Sequence, residues 1–346
     1  MTESKCIENR SELLFLYDCR DSNPNGDPLD ENKPRIDEET GINIVTDVRL
    51  KRTIRDYLQS KNMDVFVKEE IKDGKQKTRE ERIKEIEEEK KNHSDAQNKT
   101  IEGYMLEKYI DLRLFGATLG LRGHTDENNP NEGEHKKEKK GKKKSDGKSI
   151  AFTGPVQFKF GRSLHKVKGP VLIKGTTVLP SQSGKMQGTF TETWVLPYSL
   201  IGFYGIINEN AAKTTRLTEE DVKYLLEGMW NGTKNLISRS KVGQNPRLLL
   251  RIVYKKDSNF HIGDLDKKIK IQSNKRDEEI REIRDITLDL SDLISALESV
   301  KNKIEKIEYK VCTELNKKLD LKDKLSNIVG ENNIVELQFD NEESNQ

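Results

Sequence analysis

The apolar residues of this chain fall in short blocks, in a fixed order, and long stretches of charge separate them. That layout constrains the fold more than any single motif does. A core has to be assembled from segments far apart in sequence, with the charged stretches carried as insertions. Residues 11–19, SELLFLYDC, predict a buried strand: a short apolar run closed by polar residues. RDSNPNGDPLDENKPRIDEETG follows, dense in Asn, Pro, Gly and Asp, and predicts a long loop, ordered or not. A helix is expected from Thr46 to Ser60, with Thr46 as cap and Asp47 at the positive end of the dipole. Leu50, Ile54, Tyr57 and Leu58 share one face. Arg49, Lys51, Arg52 and Arg55 cover much of the opposite side, which is expected to face solvent.

MDVFV, residues 63–67, is a short strand candidate. Charge then dominates from Lys68 to Thr100, where TREERIKEIEEEKKNH predicts a solvated helix braced by i,i+4 ion pairs. YMLEKYIDLRLFGATLGLRG predicts a helical segment closed by a glycine turn. Residues 124–149, low in complexity around KKEKKGKKK, predict a loop or a disordered insertion. SIAFTGPVQFKFGRSLHKV predicts one or two strands. Residues 169–208 predict strand, exposed loop and strand, with PSQSGKMQG as a protruding hairpin tip. A helix from Thr218 to about Arg239 opens with a capping box, Thr218 with Asp221. Its stripe of Val222, Leu225, Leu226, Met229, Trp230, Leu236 and Ile237 is expected in the core. PRLLLRIVYKK predicts a further strand, and the C-terminal part alternates charged helices with short apolar stretches such as IVELQF. The sum is an α+β chain compatible with a βαββαβ core carrying long insertions.

Charged residues are 35% and apolar residues 32% of the 346, polar for a globular chain. Because 62 basic residues nearly cancel 60 acidic ones, the net charge of +2 carries no nucleic-acid signal; local distribution has to. Cys6, Cys19 and Cys312 are scattered, which suits reduced thiols in a cytoplasmic protein. No apolar run approaches about 20 residues, so no membrane span is expected, and the first residues lack the apolar core of a signal peptide. Asp21, Asn23, Asn25 and Gly26 begin a calcium-loop pattern that fails at Asn32, where a bidentate Glu belongs. Asp27, Asp30 and Asp37 cluster without a base-like partner. Neither metal nor other cofactor is expected. The basic side of the 46–60 helix can track a phosphate backbone. Lys136 to Lys144 offer weak attraction to nucleic acid, or only solubility. Met186, apolar at a polar tip, either folds back into the core or wedges between bases; the residues leave both open.

Four blocks, in order, resemble a known family. NPNGDPLDENKPRIDEETGINIVTDVRLKRTIRDYL resembles the N-terminal signature of the backbone subunits of type I CRISPR surveillance complexes (Cascade; RAMP superfamily), of subtype I-B and its I-C relatives. DLRLFGA, FTGPVQFKFGRSL and WVLPYSLIGFYG resemble later blocks, and the matches extend from residue 11 to about 255. The resemblance implies a modified RRM (ferredoxin-like) palm from residues 11–60 and 149–260. It implies a finger-type insertion at 61–148 containing the lysine-rich loop 124–148, and a thumb hairpin at 175–192. A charged helical region and tail would occupy 261–346. The implied protein is non-catalytic and cytoplasmic. It polymerises head to tail along CRISPR RNA beside other Cascade subunits, kinks the RNA, and presents it for pairing with target DNA. Implied RNA contacts are Asn23, Asn25, Arg35, Arg49, Lys51, Arg52, Arg55, Arg162, Lys185 and Met186, the last as wedge. Two other readings stand beside this one. One is metal-dependent RNA cleavage from Asp27 or Asp30, as in related type III complexes; the other is a protein-binding scaffold indifferent to nucleic acid.

Overall fold

Strand β1, Ser11–Ser22, is buried on both faces. Leu13, Phe15, Tyr17 and Cys19 enter one hydrophobic cluster, and Leu14 and Leu16 enter another. Apolar residues on both sides of a strand need cover on both sides. The computed structural model, which describes residues 5–93, 96–120, 149–176 and 190–339, provides it.

After β1 come β2 (Ile42–Val45) and α1 (Asp47–Ser60). An insertion supplies α2 (Arg79–Asn92), α3 (Ile101–Lys108), α4 (Ile110–Phe115) and the paired strands β3 (Gly116–Gly120) and β4 (Ser149–Thr153). β5 (Val156–Phe158), β6 (Gly161–Lys166), β7 (Val171–Thr176) and the long β8 (Phe190–Ile207) follow. Then come α5 (Glu209–Thr215), α6 (Glu219–Lys234) and β9 (Gln244–Tyr254). The C-terminal part adds α7 (Ser291–Ser299), β10 (Ile304–Val311), α8 (Thr313–Leu319), α9 (Leu321–Val329) and β11 (Ile334–Glu336).

The main sheet runs β11-β10-β9-β1-β8-β6-β2, with β5 and β7 also on β8. Its centre is antiparallel: β1 lies between β8 and β9, and β8 pairs onward with β5 and β6. With β5 and β6 taken as one interrupted strand, β1–α1–β5/β6–β8–α6–β9 has the strand order fourth, first, third, second. That is the ferredoxin-like arrangement of an RRM. α1 and α6 cover one face and lie close together. A Cβ added to Gly228 would sit 3.1 Å from Ile54 Cγ2, and one on Gly232 would sit 3.0 Å from Tyr57 Cβ.

The opposite face is covered by the C-terminal part. Leu265, Leu293, Leu297, Leu321 and Leu325 pack with Leu14, Leu16, Leu250 and Ile252 of the sheet. A fully buried carboxylate, Glu12 on β1, fastens this cover. It accepts from the Tyr204 hydroxyl at 2.6 Å, from the Tyr254 hydroxyl, and from the backbone N–H groups of Ile262 and Gly263 at 2.8 and 2.7 Å. On the helix-covered face, buried Arg251 of β9 donates to Glu219 at the start of α6 and to Glu308 of β10, at 2.7 and 3.1 Å.

Several local expectations need correcting. Residues 63–67 form no strand; Val65 and Phe66 are buried, and the Phe66 and Val67 N–H groups donate to Asp111 instead of to a strand. The helical segment after Thr100 breaks at Tyr109 into α3 and α4, and Gly116 opens a strand rather than a terminal turn. Residues 149–166 hold three strands. The Thr218–Asp221 capping box is present, but α6 stops at Lys234, so Leu236 is half-buried and Ile237, expected in the core, is 89% exposed. The lysine-rich segment 124–148 and the tip carrying Lys185 and Met186 lie outside the described residues.

Replacing Glu12 by Ala leaves buried donors without an acceptor. It is expected to lower the unfolding free energy by about 3 kcal/mol, read as the shift in a urea midpoint at constant slope.

Candidate nucleic-acid interface

The loop after β1 is ordered by its own polar groups. Asn25 Oδ1 accepts from the Thr46 N–H at 2.8 Å and from its hydroxyl at 2.9 Å, which ties the loop to the cap of α1. Arg35 donates to the Gly26 carbonyl at 2.6 Å and lies 3.5 Å from Asp27. Gly26 is required here, because an added Cβ would fall 2.1 Å from Asn32 Oδ1. Asn23 is almost fully buried; its side chain donates to the Asn32 carbonyl at 2.7 Å. The carboxylates of the acidic set are committed locally. Asp27 accepts from the Leu29 N–H, Asp30 from Lys33, and Asp37 from the N–H groups of Glu39 and Thr40. Among the described residues no three His, Cys, Asp or Glu side chains form a group that could hold a metal ion.

The expectation of four basic residues facing solvent from α1 is overturned in part. Arg55 is buried; its Nε donates to Asp111 at 2.8 Å, and its guanidinium lies over the Phe115 ring. The insertion packs against this side of the helix, and Asp111 needs a counter-charge there. Lys51 is held by Asp47 at 3.1 Å and Gln157 at 2.9 Å. Arg52, 45% exposed, pairs with Asp56 at 2.7 Å and Glu69 at 3.6 Å. Arg49 is mostly buried, and that burial lowers its pKa. Arg162, on β6, is 50% exposed and 3.6 Å from Asp37.

The sequence reading missed the segment between α6 and β9. The Ser240 carbonyl accepts from the Asn23 N–H at 2.6 Å and the Ser22 hydroxyl at 2.9 Å. Lys241 Nζ donates to the Asn23 carbonyl at 2.9 Å, and Arg239 donates to Thr191 Oγ1 at 2.7 Å. The segment therefore joins the end of β1 to the outer end of the described β7–β8 ribbon, where Thr191 pairs with Gly175. Burial, then the nearby Arg49 charge, brings the Lys241 pKa down to about 8. The signal was the basic run SRSK between a capped helix and a strand, the kind of positioned loop that carries function. Lys241 thus stands at the end of β1, while Arg239 and Lys33 lie along β8, the first on Thr191 and the second with its ammonium 5.2 Å from the Trp194 ring centroid.

A family model described as CRISPR-associated protein Cas7 matches residues 9–291. A Haloferax volcanii protein described as CRISPR-associated protein Cas7 is 35% identical over 306 residues, 86% of this chain and 85% of that protein. The chain belongs to the Cas7 family. Among solved structures, a chain of a CRISPR RNA-guided surveillance complex aligns with TM-score 0.42 and 14% identity, covering 87% of this chain and 88% of that one. A chain of such a complex described as pre-nicking aligns with TM-score 0.43 and 12% identity, covering 87% and 92%. For this Cas7 family member, no helix among the described residues is long and apolar enough to cross a membrane.

The two arginines of α1 should separate by burial. Arg55→Met strands the Asp111 charge and is expected to lower the unfolding free energy by about 3 kcal/mol. Arg52→Met, with exposed partners, should lower it by less than about 1 kcal/mol. Parallel urea titrations measure both.

Proposed function

We propose that this chain is a non-catalytic backbone subunit that coats CRISPR RNA within a surveillance complex. Copies align head to tail along the RNA, the β7–β8 ribbon and the segment beyond it cross the strand and kink it, and the exposed bases pair with target DNA. The observation that carries this reading is the placement of cations in a ferredoxin-like Cas7 unit. Both faces of the sheet are closed, so bases have no sheet surface to stack on. Lys241, with Arg49 near it, stands instead where β1 ends, Arg239 lies on the ribbon, and Arg52 and Arg162 are the most exposed of the named cations on α1 and β6. Contacts of that kind hold phosphates and leave sequence to base pairing. A subunit that serves any guide needs that indifference to sequence. The local use of Asp27 and Asp30 in turn and ion-pair contacts favours this over the cleaving alternative.

The test is purification without nuclease, followed by size exclusion and the 260/280 absorbance ratio at low and high salt. RNA should co-purify in large assemblies, and binding should weaken with salt by a slope of about −0.7 per phosphate neutralised. Arg52→Glu with Arg162→Glu should weaken RNA binding with the fold intact; unchanged binding would favour the scaffold reading. Regularly spaced cuts in complementary RNA, after incubation of the assembled complex with magnesium, would overturn the non-catalytic assignment.

A further inference from the structure

We propose that the loop from Leu236 to Gly243 is a phosphate-binding element, in which Lys241 and Arg49 together grip one backbone phosphodiester of the RNA. The inference rests on the RNA-coating reading and names a contact within that site. Three observations carry it.

The loop is held firmly. Its Ser240 carbonyl takes two hydrogen bonds from the end of β1, and its Arg239 reaches Thr191 on the ribbon. Lys241 is therefore presented from a fixed backbone, and its position is set by the core rather than by solvent.

The two cations lack a counter-charge of their own. Among the described residues no carboxylate lies within 4.0 Å of Lys241 Nζ. The Arg49 guanidinium comes no closer than 3.9 Å to Asp56, which Arg52 already holds at 2.7 Å. The Lys241 ammonium is bonded to the Asn23 carbonyl and is within electrostatic reach of Arg49 on α1 and of the Cys19 thiol on β1. Burial pushes the Cys19 pKa up, so the thiol stays neutral and does not balance the pair. Two like charges partly removed from water repel more strongly than they would outside. The Asn23 carbonyl on Lys241 and the Thr53 hydroxyl on Arg49, both neutral, are small compensation for that arrangement. A bound phosphodiester supplies the missing charge and two acceptor oxygens, one suited to the arginine fork and one to the ammonium.

The surroundings suit a single strand. Ile237 and Val242, before and after Lys241 in the same loop, are 89% and 60% exposed. Apolar side chains beside a cationic track are what a single-stranded nucleic acid uses for its sugars and bases.

The experiment compares the full-length chain with Lys241→Met and Lys241→Arg. Fluorescence anisotropy follows binding of a labelled oligouridylate across a salt series and at pH values on either side of 8, and thermal melting follows stability. Lys241→Met should bind about tenfold more weakly, with a salt slope shallower by about 0.7. Its melting temperature should be unchanged or higher, because a repelling charge has been removed. Lys241→Arg should restore affinity and slope. Affinity of the unaltered chain should fall as the pH rises through about 8, where Lys241 loses its proton, and that of Lys241→Arg should not. Wild-type affinity and slope in Lys241→Met would overturn the inference while leaving RNA coating intact. Loss of affinity together with melting temperature, unrepaired by arginine, would also overturn it by making Lys241 a structural tie. An unaltered chain that binds no oligouridylate would sink the RNA-coating reading itself.

Discussion

A carboxylate at the centre of the sheet decides what the rest of this molecule can do. Glu12 on β1 is fully buried and takes the hydroxyls of Tyr204 and Tyr254 and the N–H groups of Ile262 and Gly263. A buried polar group is tolerated only when its hydrogen-bonding sites are filled. The chain therefore has to return after β9 and pass beneath the sheet at Ile262, which brings the C-terminal leucines onto Leu14, Leu16 and Leu250. An RRM usually leaves that face open for stacked bases. Here it is closed, and the proposed RNA contacts lie instead at the margins of the sheet, where strands end and loops meet.

The same use of charge recurs elsewhere in the core. Asp111 and Arg55 fasten the insertion to α1, and Arg251 joins β9, α6 and β10 through Glu219 and Glu308. A chain with 62 basic and 60 acidic residues can satisfy many of its cations internally. Most exposed pairs contribute little to stability, but they remove cations from competition for a polyanion. What remains to attract one is set by where pairing fails, and net charge is blind to that.

The parts of the fold written in local sequence were legible. The apolar run of β1 announced a buried strand, Thr46 announced the start of α1, and Thr218 with Asp221 announced α6. Each signal lies within a few residues of its effect. The illegible parts depend on partners far away. Nothing near Arg55 says that Asp111 will bury it, so it looked like one more member of a solvent-facing stripe. Ile237 kept the helical spacing of its predecessors, yet α6 ends at Lys234 and leaves it in water. The C-terminal cover was hidden for a related reason. Its core positions, such as Leu265, Ile283 and Leu293, are spread among charged residues and become a surface only once folded onto the sheet. At the interface, the resemblance drew attention to the Asn-Pro-Gly loop and α1. The SRSK segment gained meaning only when its carbonyl and lysine proved to be tied to Ser22 and Asn23, more than 200 positions earlier.

That tie has a mechanical consequence. The end of β1, the cap of α1, the α6–β9 loop and the outer end of the described ribbon are linked in sequence by Asn25 to Thr46, Ser22 and Asn23 to Ser240, and Arg239 to Thr191. Groups held this way keep their spacing because moving one means breaking a hydrogen bond to the next. Base-reading proteins tolerate adaptable contacts, since specificity comes from the donor and acceptor pattern. A protein that grips only the backbone has no such pattern to correct an error in position. Its spacing has to be built in, and on the proposed RNA-coating reading the hydrogen bonds that would build it here lead back to β1, a strand buried on both faces.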